Sequence, residues 1–270
     1  MRFHFSFKDL PYMTTAIITG ASKGIGKAFA GELASKGYNL LLIARTESLL
    51  KNLADELSAK HNVNVSYLAL DLTLQTSIQK IIEKVEHEEI PIQILINNAG
   101  YALWGNFADM DLAEQEKMMF VNMNLMVHLS HSLLPYLQKN KKSYLLNVAS
   151  SSAYQAVPTL AIYCASKAFV LQFTRSLRHE IKGTGVRVSC LSPGPTETEF
   201  MDAAGMTTPK MKKQAAKFNM SPAEVASIGI KGLMNDKAEI IPGFLNVLQA
   251  KLVNFVPKII TENIAAGLYK

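Results

Sequence analysis

Tyr163 and Lys167 stand four residues apart in the run Y-C-A-S-K, a spacing that sets a phenol and an ammonium on one face of a helix. A phenol ionises near pH ~10 in water, and a positive charge beside it favours the phenolate. The pair therefore has the makings of a group that gives and takes a proton near neutral pH. A helix bearing tyrosine and lysine is also ordinary packing with a solvated edge, so the chemistry depends on what the rest of the chain brings to the pair.

The elements that must position it can be read from the apolar periodicity. Residues 14–19 form a short apolar run closed by Gly20, and residues 25–36 then carry Ile25, Phe29 and Leu33 at helical spacing before Gly37; this predicts strand, glycine turn, helix. Strands follow at 38–44, 63–70, 92–96, 144–148, 186–191 and 239–241, and helices at 48–60, 77–87, 161–182 and 222–234, with one long helix across 112–137. Such alternation, with strands that are apolar throughout, predicts an α/β fold: a doubly wound, mostly parallel sheet of about seven strands with helices on both faces. No shift in composition marks a domain boundary, so one domain is expected over residues 13–243. After Pro193 the pattern loosens, and residues 195–220, with Met201, Met206, Met211 and Met220, read as a mobile lid. Residues 244–270 read as an amphipathic tail interrupted by Pro257. Its apolar face of Leu245, Leu248, Leu252, Phe255 and Ile259 is expected to pack on the body or on a partner subunit. Met13 directly precedes the first strand, which makes residues 1–12 a dispensable extension on this reading.

Composition narrows the class of partner. Hydrophobic residues make up 49% and charged residues 19% of the 270, which suits a globular core. The formal charge of +6 is scattered apart from Lys210, Lys212, Lys213 and Lys217. Without a basic stripe interleaved with stacking aromatics, an anionic small molecule is a better match than nucleic acid. Cys164 and Cys190 have neither the number nor the spacing of a disulfide framework or zinc site, and they fit the reducing cytoplasm. His128 and His131 on the long helix have no partners at ligand spacing, so no metal is expected. The chain shows neither a signal peptide nor an apolar stretch that would span a membrane.

The run T-G-A-S-K-G-I-G at 19–26 sits where a dinucleotide site needs it, after the first strand and opening the first helix. Gly20, Gly24 and Gly26 allow a tight turn and close approach of a pyrophosphate to the helix N-terminus. The spacing is G-x-x-x-G-x-G rather than G-x-G-x-x-G. This variant, N-N-A-G at 97–100 and Y-x-x-x-K, in this order, resemble the short-chain dehydrogenase/reductase family from residue 14 to about 241. The resemblance implies an NAD(P)-dependent oxidoreductase acting on a carbonyl or alcohol. Within it, Ser150, about thirteen residues before the tyrosine, and Asn122 on the preceding long helix match the family's remaining catalytic positions, beside Tyr163 and Lys167. Ser150 closes the strand Y-L-L-N-V-A-S, at the carboxyl edge where open α/β sheets bind ligands; Ser151 and Ser152 are alternatives by position alone.

By the same resemblance, Ser22, Lys23 and Ile25 contact the cofactor with the three glycines. Asp71 and Leu72 would meet its adenine, Asn98, Ala99 and Gly100 its ribose, and Pro193, Gly194, Thr196 and Thr198 its nicotinamide end. Tyr163 and Lys167 would contact it too, with Lys167 on the ribose and Asn122 holding a water that relays protons. The second strand ends in Ala44-Arg45, where an acid would bond the 2′-hydroxyl of NAD and a base accommodates the 2′-phosphate of NADP. Arg45 and Lys23 therefore favour NADP over NAD, although Glu47 could compete for Arg45. Trp104, Phe107, Met110 and the lid methionines suggest an apolar substrate pocket. The family also implies a homodimer or homotetramer through the helices that bear Asn122 and Tyr163. A protein that binds dinucleotide without turnover is the alternative, and the complete Asn122, Ser150, Tyr163, Lys167 set argues against it.

Overall fold

The computed structural model describes residues 14–216, 219–253 and 255–269; the 1–12 extension and Lys217 lie outside them. Seven strands, β1 (Thr15–Thr19), β2 (Asn39–Ala44), β3 (Val65–Ala69), β4 (Ile92–Asn97), β5 (Ser143–Val148), β6 (Val186–Leu191) and β7 (Glu239–Ile240), form one sheet in the order β3-β2-β1-β4-β5-β6-β7. All six pairings are parallel. The order reverses between β1 and β4, which leaves a crevice at the carboxyl ends of those strands.

Both faces of the sheet are apolar, and alternate residues of one strand enter opposite cores. Ala16, Ile18, Leu40 and Leu42 pack with Phe29 and Leu33 of α1 (Gly24–Ala34), Leu50 and Leu57 of α2 (Glu47–His61), and Ile230 and Leu233 of a helix over Pro222–Met234. Ile17, Leu41 and Ile43 face the other way, onto Ile81 of α3 (Gln75–His87) and a row of leucines, Leu125 to Leu137, on a later helix. Strands buried on both sides explain the continuous apolar runs.

The stretch expected as one helix over 112–137 is three pieces: α4 (Leu112–Met119), a π-helical turn (Phe120–Asn124) and α5 (Leu125–Gln138). The wider turn carries Asn122 into the interior, 2% exposed. α6 (Ala161–Glu180) then leads to β6.

The stretch expected as a mobile lid contains two helices, α7 (Phe200–Ala203) and α8 (Pro209–Ala216). Both ends are tied together, since Glu197 N–H donates to Met220 O at 3.0 Å and Met220 N–H to Pro195 O at 3.2 Å. α9 (Pro222–Met234) begins with a capping box, Ser221 and Glu224 each bonding the other's backbone N–H. Beyond β7 the tail forms α10 (Phe244–Leu252) and α11 (Lys258–Tyr269). Its apolar face does not pack on the body: Leu245 is 53% exposed and Phe255 84%. Asn246 and Ala250, on the opposite side of α10, are the residues buried there.

Candidate active site

One cleft of about 1570 Å³ runs along the carboxyl edge of the sheet, from the glycine turn to α10 and α11. Its cofactor end begins where β1 turns into α1. Gly26 packs so tightly on the first glycine that a Cβ there would stand 2.1 Å from Gly20 O, which no side chain can occupy. This contact explains why glycine returns at that spacing. α1 has no side-chain N-cap and no acid in its first turn, so its leading N–H groups are available to an anion.

Thr19 and Asn98 hold the crevice open. Thr19 Oγ1 accepts hydrogen bonds from the N–H of Asn98 and of Ala99, both at 3.0 Å, while Asn98 Nδ2 donates to Thr19 O at 2.9 Å and Gly20 O at 3.2 Å. The N-N-A-G run thus ties the end of β4 to the end of β1. Asp71, on the cleft rim, accepts from Thr73 N–H and Thr73 Oγ1. The backbone bond from Thr73, helped by its hydroxyl and by the Arg45 charge, holds the Asp71 carboxyl below the usual range.

Every residue expected at the cofactor lines this cleft: Gly20, Ser22, Lys23, Gly24, Ile25 and Gly26 from the turn, Arg45, Asp71 and Leu72 from the rim, Asn98 to Gly100, and Pro193, Gly194, Thr196 and Thr198. Arg45 is exposed and forms no ion pair among the described residues, so Glu47 does not compete for it. Lys23 instead reaches across the cleft to Glu199, Nζ to Oε2 at 2.6 Å, with both side chains exposed. The uncapped helix, the glycine cradle and two cations at the rim fit a phosphorylated dinucleotide.

Ser150, Tyr163 and Lys167 line the same cleft. Lys167 Nζ lies 5.8 Å from the centre of the Tyr163 ring and donates to Val148 O at 2.9 Å. Burial pushes its ammonium down to about 8. Ser150 Oγ caps the single 3₁₀ turn that follows it, accepting from Ser152 N–H at 3.1 Å.

Asn122 does not line the cleft. It stands behind Gly100, where its Oδ1 accepts from Tyr101 N–H at 3.1 Å and its Nδ2 donates to Tyr101 O at 3.0 Å and Ser166 Oγ at 3.1 Å. A Cβ on Gly100 would meet Asn122 Oδ1 at 2.9 Å and Lys167 Nζ at 3.2 Å. The amide therefore joins the loop after β4 to the helix that carries Tyr163.

Three supports escape sequence reading. Tyr154, at the end of the turn begun by Ser150, donates to Glu239 on β7, which also meets Arg175 at 3.2 Å. Burial and that carboxylate push the Tyr154 phenol far up, so it stays a neutral donor. Asn97 and Asn147 form a buried ladder from α5 to α6: Asn97 Nδ2 donates to Ser130 Oγ at 3.1 Å and to Asn147 Oδ1 at 2.9 Å, and Asn147 Nδ2 donates to Thr174 Oγ1 at 3.0 Å. Asn97 opens the N-N-A-G run, though nothing there foretells this ladder; the signal of Asn147 is only a polar residue inside an apolar strand. Asn246 on α10 packs against Gly194, where a Cβ would meet its side chain at 2.5 Å.

The substrate end differs from expectation. Trp104, Phe107 and Met110 do not line the cleft: Phe107 is 57% exposed and Met110 lies against Gly105. Val157, Leu160, Phe200, Met201, Met206 and Met211 form its apolar wall, with Phe200 5.7 Å from Tyr163 between ring centres. Met220 packs away from it, under the first core. Gln249, Val253, Thr261 and Ile264 bring the tail into the cleft wall as well. Among the described residues no group of His, Cys, Asp and Glu is placed to hold a metal.

A doubly wound sheet with a dinucleotide crevice beside a Tyr–Lys pair defines a nicotinamide-dependent oxidoreductase site. The chain belongs to the short-chain dehydrogenase/reductase family, whose model, described as short chain dehydrogenase, matches residues 14–209; it is an NAD(P)-dependent oxidoreductase acting on C=O or CH–OH groups. It is 39% identical over 186 residues to sulfoacetaldehyde reductase 2 of Chromohalobacter salexigens, covering 68% of this chain and 73% of that protein. The NADP-dependent 3-hydroxy acid dehydrogenase of Schizosaccharomyces pombe is 37% identical over 188 residues, 69% of this chain and 73% of its own. Among solved structures, a short-chain dehydrogenase from Sphingobium yanoikuyae in complex with NADPH aligns with a TM-score of 0.78 at 28% identity, over 91% of this chain and 97% of that one.

Proposed function

We propose that the protein reduces an uncharged, apolar carbonyl compound with NADPH, with Tyr163 as the general acid. The observation that carries this reading is the lining of the substrate end. Val157, Leu160, Phe200, Met201, Met206 and Met211 make its wall largely aliphatic, aromatic and thioether; the polar residues beside them in sequence that also line the cleft, Gln155 and Asp202, bring no cation, and Lys167 beside Tyr163 is held by Val148 O. The relatives named for sulfoacetaldehyde and 3-hydroxy acids act on small anions. A sulfonate or carboxylate against this wall would gain no ion pair from it and would lose part of its hydration.

NADP is favoured over NAD by Arg45 at the end of β2, which has no ion pair among the described residues, with Lys23 on the facing turn; the NADPH complex of the Sphingobium protein points the same way. The N-terminus of α1 would hold the pyrophosphate, and Gly194 and its neighbours the carboxamide end. Bound there, the cofactor supplies the hydride for the carbonyl carbon. Ser150 donates a hydrogen bond to the carbonyl oxygen as negative charge grows on it. Tyr163 gives that oxygen its proton, and the buried Lys167 ammonium keeps the phenolate accessible. Asn122 acts one layer back, fixing Tyr101 and Ser166, and so the pitch of the helix that presents Tyr163. Residues 195–220 close over the site as a lid.

We assign the protein to the cytoplasm, in keeping with its buried free thiols, and expect a homodimer or homotetramer through α5 and α6. Oxidation of NADPH with a panel of apolar ketones, sulfonated aldehydes and 3-oxo acids tests the function. Turnover is expected with the ketones, and Tyr163→Phe should lower it ~10²–10⁴-fold while NADPH still binds. Binding of NADPH without turnover of any carbonyl would instead mark a nucleotide sensor, and preference for the sulfonate would overturn the apolar assignment.

A further inference from the structure

The tail presents an apolar ridge that nothing among the described residues covers. On α10, Leu245, Leu248 and Leu252 stand at i, i+3 and i+7 and are 53%, 43% and 50% exposed, with Phe244 beside them at 80%. Phe255 continues the ridge at 84% exposure, and Ile259 and Ile260 carry it onto α11 at 63% and 48%. Monomeric proteins seldom leave so many large side chains together in water. The ridge adjoins the cleft: Ile264 lines the cleft and is itself 60% exposed, while Val253 and Thr261 lie on the inward side of the same segment.

We infer that this ridge docks on an anionic lipid bilayer, with the mouth of the cleft turned towards it. Charge decides between a bilayer and a second copy of the chain. Lys251 and Lys258 are exposed along the ridge, and Lys210 of α8 joins them, its ammonium bonded to Gly267 O at the far end of α11. Glu262 is the only acid within α10 and α11. A twofold contact would press this patch against its own copy and set lysine against lysine. Anionic headgroups would meet the same lysines while the leucines and phenylalanines sink among the acyl chains. No helix among the described residues is long and apolar enough to cross a membrane, so the segment lies on the surface. On the proposed reading of the substrate, a carbonyl compound dissolved in the lipid would enter the cleft without crossing water; the docking itself does not rest on that reading.

Flotation of the full-length protein with vesicles of phosphatidylcholine, alone or with phosphatidylglycerol, tests the docking without any turnover. The protein should float with the anionic vesicles at low salt and be released by high salt. Leu248→Gln/Leu252→Gln/Phe255→Gln and, separately, Lys251→Glu/Lys258→Glu should each weaken binding about tenfold or more. None of these residues lines the cleft, so NADPH binding and thermal midpoint should hold in both variants. Failure of the wild-type protein to float with anionic vesicles would overturn the proposal, as would variants that float like wild type. A wild-type oligomer that falls to monomer in the leucine variant would show that a second copy covers the ridge, and would overturn it too. Loss of ketone turnover in solution would count against the enzymatic reading alone.

Discussion

Lys167 is 5% exposed, and its ammonium is depressed by burial from 10.5 to about 8. Below pH 8 the folded protein carries a buried charge that the unfolded chain would carry in water, so the residue costs stability there, by roughly 3 kcal/mol at most. Between about 8 and 10.5 the unfolded chain binds more protons than the folded one, and stability rises with pH. Lys167→Met should therefore unfold at higher denaturant than wild type at pH 7, by ~1–3 kcal/mol, with the gap closing towards pH 10, and should show almost no turnover. Denaturant titrations of both proteins across that range check the sign. The cofactor rim makes a second case at this scale. Arg45→Ala should raise the KM for NADPH roughly 10–100-fold, as expected for losing a charged hydrogen bond, and leave NADH nearly unaffected. Equal losses with both cofactors in steady-state kinetics would remove Arg45 from the phosphate site.

Elements fix the distances between such residues, and here contacts remote in sequence dominate. Gly194 joins β6 to the lid, yet its neighbour is Asn246 on α10, with Nδ2 held by Pro242 O at 2.8 Å. Gly194→Ala would drive a methyl group to within 2.5 Å of that amide. The expected loss is ~1–3 kcal/mol of stability, the usual cost of overpacking, with a higher KM for NADPH as the turn shifts. Asn246→Ala in the same background opens the space and should restore part of that stability, as chemical denaturation can show. At this scale the sequence was readable where one element sufficed: the glycine turn, Asn98 and the Tyr–Lys spacing all repeat local patterns. It was less so where two elements meet. Asn122 could be picked out as a member of a motif, but its bonds to Tyr101 and Ser166, and the π-helical turn that buries it, have no counterpart in local periodicity. Trp104, Phe107 and Met110 read as pocket residues because they are apolar and lie between strand and helix; none lines the cleft, although Trp104 packs behind its wall on the cluster of Val157, Leu160, Met206 and Met211.

At the scale of the whole molecule, the two apolar faces of the sheet are covered by helices, and the apolar groups still exposed point to partners. Phe169 on α6 is 41% exposed and stacks at 6.0 Å on Phe173, on the surface proposed for self-association. Light scattering should give a particle of at least two chains, and Phe169→Glu should shift it towards monomer; a wild-type monomer would refute the expectation. The α10–α11 ridge is a separate surface with its own test.

The alternation of strands and helices, the glycine turn and the Tyr163–Lys167 spacing were determined by the sequence alone, because each follows from short-range spacing of glycine, apolar and polar residues. The walls of the substrate end, the Asn97–Asn147 ladder, the Tyr154–Glu239 anchor and the exposed face of the tail were decided only by the tertiary structure. Each of these depends on which side of an element meets which neighbour across tens of residues of chain, and composition carries no record of that.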